Sequence, residues 1–547
     1  MGTPRDVTSD RDEVDRFAEW FLTPAERANP CTAVDERRGA GAAWSVGNRV
    51  EVLIDGAAYF RRLHEELCAL ERGDQVHLTD WQGDPDERLV GTGTEIATVL
   101  CDLARRGVQV RGLLWRSHPR QTHFAEQDNA SLVREVNEAG GEMVLDERVR
   151  RGGSHHQKLV LIRRADPAAD VAFVGGIDLC HGRHDHQDHH GDAQAVDLNP
   201  LYGTRPPWHD LQLEIRGPAV GDLAHTFRER WNDPTPLDHR NPLRAAARRI
   251  TGQPRRPDPL ESARPDPPPA GAMAVQVLRT YPAKRPPFPF APRGERSIAR
   301  AYEKALGRAS RFVYLEDQYL WSRRAARLLA EALRRTADLQ VIAVVPRFPE
   351  RNGKVAETSE IIGRQDVLRM LERAGGDRVA VYDLENDDGR PVYVHAKVCI
   401  VDDVWLEIGS DNLNRRSWTH DSEVSCAVLD TRTDDRVPLR AGVGSGRARR
   451  IARETRLRLF REHLGRDDGD DGDLVDPGCG FAAFRACADA LDAWHRPGAT
   501  GVRPPGHVRR HRPEPVPWHA RGWARTIHRL FVDPDGRPRD LRRRDAV

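Results

Sequence analysis

The chain has 547 residues, 39% hydrophobic and 31% charged, and its 85 basic residues against 84 acidic ones leave a formal charge of +1. That length exceeds what one core usually organises, so two domains or a duplicated fold is expected, and the near-neutral charge argues against a general polyanion binder. The polar start, Met1 to Glu13, reads as no secretory leader and no apolar run approaches a membrane span, while eight scattered cysteines without a Cys-x-x-Cys pair suit reduced thiols in the cytoplasm.

Residues 1–40 read as a polar extension with one short helix near Val14–Leu22. A strand is expected at Arg49–Asp55, a helix at Tyr59–Leu70, strands at Gln75–Trp81 and Val108–Trp115, and a helix at Thr94–Arg105 between them. Such alternation indicates a layered α/β sheet. The next strand and hairpin, Lys158–Leu161 and Val171–Val174, follow His156-Gln-Lys158. Residues 251–271 hold seven prolines, which cannot continue a helix or a central strand and so read as a linker.

After the linker the order restarts. Val275–Leu278 reads as a strand, Ser297–Arg308 as a helix, Phe312–Glu316 as a strand, Ala325–Arg335 as a helix and Leu339–Val345 as a strand. His395-Ala-Lys397 then leads into a strand at Val398–Val401, and Ile451–Leu464 reads as an amphipathic helix. The pattern is a long internal repeat. It divides the chain into a first half (41–250), a linker (251–271), a second half (272–465) and a C-terminal extension (466–547). Within the extension Ala482–Trp494 has helical spacing. From Gly501 onward twelve arginines face five acids, with Trp518, Trp523 and Phe531 among them, a composition that could touch anionic lipid.

The two His-x-Lys segments carry the chemistry. In extended chain, residues i and i+2 share a face, so an imidazole and an ammonium point the same way. Each pair precedes an apolar run and a glycine turn: Val174-Gly175-Gly176-Ile177-Asp178-Leu179 in the first half, Ile408-Gly409-Ser410-Asp411-Asn412-Leu413 in the second. A phosphodiester repels nucleophiles until its nonbridging oxygens are neutralised. Lys158 and Lys397 can supply that charge, and Ser410 and Asn412 neutral hydrogen bonds. One imidazole can then attack phosphorus while the other protonates the leaving alcohol. That chemistry requires no metal and no cofactor.

This ordered set resembles the phospholipase D superfamily, over roughly residues 45–465. Gly175-Gly-Ile-Asp-Leu-Cys-His-Gly-Arg183, Pro207-Trp-His-Asp210 and Phe227-Arg-Glu-Arg-Trp231 look like the first half of its phosphatidylcholine-hydrolysing members. Val275-Gln-Val-Leu-Arg279-Thr280, Gly294-Glu-Arg-Ser297 and Tyr314-Leu-Glu316-Asp-Gln318-Tyr319 resemble the start of their second half, and Gly409–Ser417 with Asp421-Ser-Glu423 its end. The resemblance implies two similar α/β domains, each a mixed sheet flanked by helices, packed with pseudo-twofold symmetry around one cleft. It also implies a two-step reaction through a phosphohistidine, with His156 assigned as nucleophile and His395 as general acid. Either order fits the residues themselves.

Each imidazole needs an acidic partner to hold its tautomer. Glu423 lies 28 residues after His395 and Asp185 lies 29 after His156, so parallel offsets nominate Glu423 for His395 and Asp185 for His156. One position departs from the family: Asp402 follows the second motif in register, but the first has Arg163 there, on a longer hairpin in which Asp166 or Asp170 could substitute. In the family that acid mainly supports local structure. The stretch His181-Gly-Arg-His184-Asp-His186-Gln-Asp-His189-His190 could bind a transition metal but reads better as a polar loop, and Trp208-His209-Asp210 as a lining or buttress.

The expected function is phospholipase D-type cleavage of phosphatidylcholine or phosphatidylethanolamine at a membrane surface by a monomer, with phosphatidyl transfer to alcohols and without nucleic acid. Open alternatives are a cardiolipin synthase-like transferase, a nucleic-acid phosphodiesterase, and a lipid-binding member weakened by Arg163.

Overall fold

The computed structural model describes the chain except residues 1–16, 36, 39–40, 117–125, 252–254, 261–263, 351–352, 441–445 and 497. Part of the helix expected at Val14–Leu22, and parts of the extension and the linker, lie outside the described residues.

The first sheet contains β1 (Ser45–Ile54), β2 (Gln75–Asp80), β3 (Gln109–Trp115), β4 (Glu142–Asp146), β5 (Leu159–Arg163), β6 (Val171–Gly175) and β7 (Leu211–Arg216). Its order is β4-β3-β2-β5-β6-β7-β1, with β2, β3 and β4 mutually parallel and the other neighbours antiparallel. The second sheet contains β8 (Met273–Tyr281), β9 (Phe312–Asp317), β10 (Gln340–Val344), β11 (Val379–Glu385), β12 (Lys397–Val401), β13 (Trp405–Gly409) and β14 (Glu423–Asp430). Its order, β11-β10-β9-β12-β13-β14-β8, repeats the first strand for strand and direction for direction. The helices repeat too. In the first half α1 (Gly56–Cys68), α2 (Ile96–Arg106), α3 (Glu126–Glu138) and α4 (Ala219–Trp231) occupy the places that α5 (Ser297–Arg308), α6 (Arg323–Arg335), α7 (Lys354–Gly375) and α8 (Arg450–Leu464) hold in the second. The expected α/β pair of mixed sheets is therefore present as a duplication.

Local sequence explains these elements. In β5, Leu159 and Leu161 belong to a core shared with the second half, whereas Val160 and Ile162 face the helices of their own half. In β12, Val398 and Ile400 enter the shared core and Cys399 and Val401 the outer one. That period-two split between two apolar faces is why both strands read as continuous hydrophobic runs. Ser322 caps α6 by accepting the Arg324 and Ala325 amides, and Gly107 ends α2 at φ +90, a left-handed turn that glycine adopts without strain. The edges of the two sheets meet where Ser45 and Asn48 of β1 pair with Val275 and Met273 of β8.

The linker and tail are tied down. Trp231 Nε1 donates to the Asp258 carbonyl at 2.8 Å and Arg163 to the Pro265 carbonyl at 2.8 Å, so the proline-rich chain follows the surface of the first half. In the extension α9 (Pro477–His495) precedes β15 (Val508–Arg510), which pairs antiparallel with β11 and lengthens the second sheet. No described helix is long and apolar enough to cross a membrane.

The position of Arg163 has a plain structural account. Asp402 sits at the far end of β12 from the His-x-Lys pair and accepts the backbone amides of Ser310, Arg311 and Phe312 at 2.8–2.9 Å, plus the Ser310 hydroxyl at 2.7 Å. In the first half the clamp is reversed: Asp74, before β2, accepts the Ala165 amide at 3.1 Å and the Glu71 amide at 2.9 Å. Arg163 instead donates to Asp170 at 2.5 Å; Asp166 caps the following turn. Asp402 thus fixes a turn at the end of β12 away from the cleft, the supporting role expected of the motif's acid. Asp402→Ala strands several backbone donors and should destabilise the protein by about 2–3 kcal/mol, read by urea unfolding. A loss within the ~0.5 kcal/mol of an ordinary surface change would contradict this account.

Candidate active site

Both His-x-Lys pairs sit where strands end at one cleft of about 920 Å³, lined by residues of both halves including His156, Asp178, Arg183, Trp208, His395, Asn412 and Glu423. Short backbone contacts hold the halves in register there, two of them at the imidazole residues themselves. The His156 amide donates to the Ser422 carbonyl at 2.9 Å, and the His395 amide donates to the His209 carbonyl at 2.8 Å. Ser422 and His209 each immediately precede a carboxylate, Glu423 and Asp210, that opens β14 or stands before β7.

Those carboxylates complete crossed pairs. His156 Nδ1 lies 2.9 Å from Glu423 Oε2, and His395 Nδ1 lies 2.6 Å from Asp210 Oδ2. An ionised carboxylate only accepts, so each Nδ1 carries the proton and Nε2 keeps the lone pair that chemistry needs. The parallel offsets in sequence nominated the wrong partners. Glu423 serves His156, not His395. Asp185 serves neither imidazole: it accepts the amides of His186, Gly191 and Trp208 at 2.8–3.0 Å and so holds the loop that presents Trp208. Asp210, read in sequence as a buttress, is the carboxylate of His395. A signal for it existed: both halves place an acid directly before the strand that follows the glycine turn. The glycines serve this arrangement, since a Cβ at Gly176 would overlap the Asp210 carboxylate.

The lysines are buried beside the imidazoles. Lys158 Nζ pairs with Asp178 Oδ1 at 3.1 Å and donates to the His156 carbonyl at 3.1 Å. Lys397 Nζ donates to the His395 carbonyl and lies 3.5 Å from Gln318 Oε1. Burial lowers Lys397 to about 8 against the opposing pull of Asp210, so its positive charge fades as pH rises through that value. Burial and the cations Lys397 and Arg183 hold His395 well below the ordinary imidazole value. Asp178 is pushed up by burial but held low overall by Lys158 and Arg183. The register explains these neighbours: Asp317 stands opposite Lys397 across β9 and β12, and Asp80 holds the equivalent place at the end of β2. Asp80 and Asp317 accept the Leu179 and Leu413 amides at 2.9 and 2.6 Å, fixing both glycine turns.

The remaining expected residues divide. Asn412, only 3% exposed, lines the cleft with a side-chain oxygen that has no partner among the described residues. Ser410 turns away from it, donating to Glu423 Oε2 at 2.6 Å, and so orients the carboxylate where a phosphate contact was expected. Asn412 has a first-half counterpart in Asp178, and Arg183, unassigned in the sequence reading, stacks over Trp208 at 3.9 Å.

Residues 86–251 match the family model described as phospholipase D, and residues 302–437 match the model described as cardiolipin synthase, PLD-like domain. The chain belongs to the phospholipase D superfamily. Phospholipase D A of Dictyostelium discoideum is 27% identical over 375 residues, covering 57% of this chain and 27% of that protein. Phospholipase D alpha 1 of Ricinus communis is 25% identical over 517 residues, covering 71% of this chain and 62% of that one. The chain thus spans less than two thirds of the length of these relatives. Among solved structures, phosphatidylserine synthase of Haemophilus influenzae Rd KW20 is similar with a TM-score of 0.47 at 15% identity, over 70% of this chain and 82% of that one.

If the crossed pairs orient the imidazoles, Asp210→Asn and Glu423→Gln should each lower kcat by roughly a thousand- to ten-thousandfold, as loss of the orienting carboxylate does elsewhere. Asp185→Asn should cost far less. Equal losses in Asp185→Asn and Asp210→Asn would sink the assignment.

Proposed function

We propose that the protein cleaves the head-group phosphodiester of glycerophospholipids, with water or an alcohol accepting the phosphatidyl group. The observation that carries this reading is the pair of imidazoles, each tied through Nδ1 to the opposite half and each lining one cleft with a buried lysine beside it. The phosphate anion is neutralised by Lys158, Lys397 and Arg183, with the Asn412 amide as a further donor. His156 Nε2, on the more open side, attacks phosphorus. The arriving anion offsets Lys397 and Arg183, which raises the proton affinity of His395, and His395 gives its proton to the leaving head-group oxygen. His395, now neutral, takes a proton from water or an alcohol as that oxygen attacks phosphorus and expels His156.

Two features support lipid as the substrate. Stacked pairs Trp81–Trp115 and Tyr319–Trp321, with ring centroids 5.7 and 4.1 Å apart, line the cleft together with Asp84, Glu350 and Glu360. Aromatic faces and carboxylates suit the ammonium of choline or ethanolamine and would repel a nucleic-acid backbone. Leu530 and Phe531 are 59% and 71% exposed beside Val532, which lines the cleft, so the tail offers apolar side chains at the mouth where a bilayer would lie. Arg163 lies at the end of β5 away from His156, tied to Asp170 and Pro265, which favours turnover over lipid binding alone.

Phosphatidylcholine vesicles with added ethanol test this directly. Choline should be released and phosphatidylethanol should form, and His156→Ala or His395→Ala should abolish both. Cleavage of DNA with no lipid turnover would overturn the substrate assignment. Replacing both Leu530 and Phe531 with Ser should slow turnover on vesicles by about tenfold or more, given the apolar burial each could contribute, while a soluble short-chain phosphatidylcholine is cleaved at the wild-type rate. Equal loss on both substrates would remove the tail from the membrane contact.

A further inference from the structure

Behind the His395 carboxylate lies a second, buried cluster that the reaction does not use. Asp55, His189 and His209 are 3%, 1% and 0% exposed, and the Glu462 side chain is 10% exposed. Asp55 precedes α1, His189 comes from the histidine-rich loop, His209 precedes Asp210, and Glu462 lies on α8 of the second half. Their ligand atoms converge: His209 Nδ1 is 3.0 Å from Asp55 Oδ1 and 3.1 Å from Glu462 Oε1, and His189 Nε2 is 3.6 Å from Glu462 Oε1. All four lie within 4.8 Å of one another.

Hydrogen bonding alone satisfies this cluster poorly. A single Nδ1–H on His209 cannot serve two carboxylates. Neither ring nitrogen of His189 has a hydrogen-bond partner among the described residues, nor does Glu462 Oε1. Buried polar groups left this way are costly. Asp55 stands at the N-cap of α1 without capping it, its carboxylate turned to His209 instead. A divalent ion resolves the arrangement. With bonds of about 2.0–2.2 Å, tetrahedral ligands stand about 3.3–3.6 Å apart, close to the spacings found here. Two carboxylates and two neutral imidazoles balance a charge of two. The far nitrogen of His209, Nε2, lies 2.9 Å from Glu316 Oε2, and Glu316 is held in turn by the Tyr314 hydroxyl at 2.6 Å and by His463 Nε2 at 3.0 Å. A carboxylate receiving the other N–H is what orients a metal-bound histidine.

We propose that Asp55, His189, His209 and Glu462 form a closed structural site for a first-row divalent transition ion, with zinc the best fit to two nitrogens and two oxygens. From the sequence no metal is expected, because the reaction needs none, and His181–His190 reads as a polar loop. Most of that loop conforms, His190 being solvent-exposed, but His189 turns inward. The ion is a positioning element: it joins Glu462 of the second half to three ligands of the first. It also fixes His209, whose carbonyl accepts the His395 and Ala396 amides and whose neighbour Asp210 orients His395.

The competing account is a metal-free network of protonated imidazoles against carboxylates. Elemental analysis of the full chain purified without chelator should find about one zinc per molecule. Chelator-stripped protein should bind Co²⁺ saturably and develop the visible absorption of a tetrahedral site. His189→Ala and Glu462→Gln should each remove most of the bound ion, with His190→Ala unchanged. Less than a tenth of an ion per chain in the wild type, with no saturable Co²⁺ signal after stripping, would overturn the proposal. The Co²⁺ titration decides even if the variants fail to fold, and neither readout depends on the lipid substrate.

Discussion

Everything at the cleft depends on one constraint: each of its two imidazoles is held by a carboxylate from the other half. His156 has Glu423 and His395 has Asp210. Neither half contains a finished site, and a displacement of one half against the other would loosen both imidazoles together. The backbone contacts His156–Ser422 and His395–His209 lie one residue from each carboxylate, so the chain segments that join the halves also set the geometry of the imidazoles. The shared core between the sheets supports those contacts. Removing apolar surface from water supplies the driving force, and the polar ties set the register.

Duplication explains both the symmetry and its departures. Strand for strand the halves agree, yet the two ends of the repeat solve the same problem differently. Asp402 clamps the turn before β9 from one side, whereas Asp74 clamps the equivalent turn from the other. Asp178 ion-pairs with Lys158, whereas Lys397, beside Asn412, has no ion-pair partner among the described residues. The two lysines therefore differ in charge environment, and burial lowers Lys397 to about 8.

Much of this was legible in the chain. The His-x-Lys pairs, the glycine turns and the apolar strands β5, β6 and β12 follow from alternation and spacing, because two-sided burial leaves a strong local signal. The helix α3 left a weak one, since only Asn129, Leu132 and Val136 are buried on it. The carboxylate partners were not legible from offsets. Counting along one half presumes that an imidazole and its acid share that half, and an intervening loop places Asp210 54 residues after His156 against 28 for Glu423 after His395. Only the matched position of each acid, before the last strand of the motif, pointed to the crossed arrangement. Ser410 was misread for a related reason: composition shows a donor but not which oxygen it faces.

Stereochemistry at phosphorus tests the two-step reaction across the crossed pairs most directly. A phosphatidylcholine analogue made chiral at phosphorus by sulfur substitution would be turned over with an alcohol acceptor and the product configuration assigned by phosphorus NMR. Two in-line displacements, first by His156 and then by the alcohol activated by His395, predict net retention. Net inversion would mean direct attack by the acceptor and would contradict the covalent role of the His156–Glu423 pair.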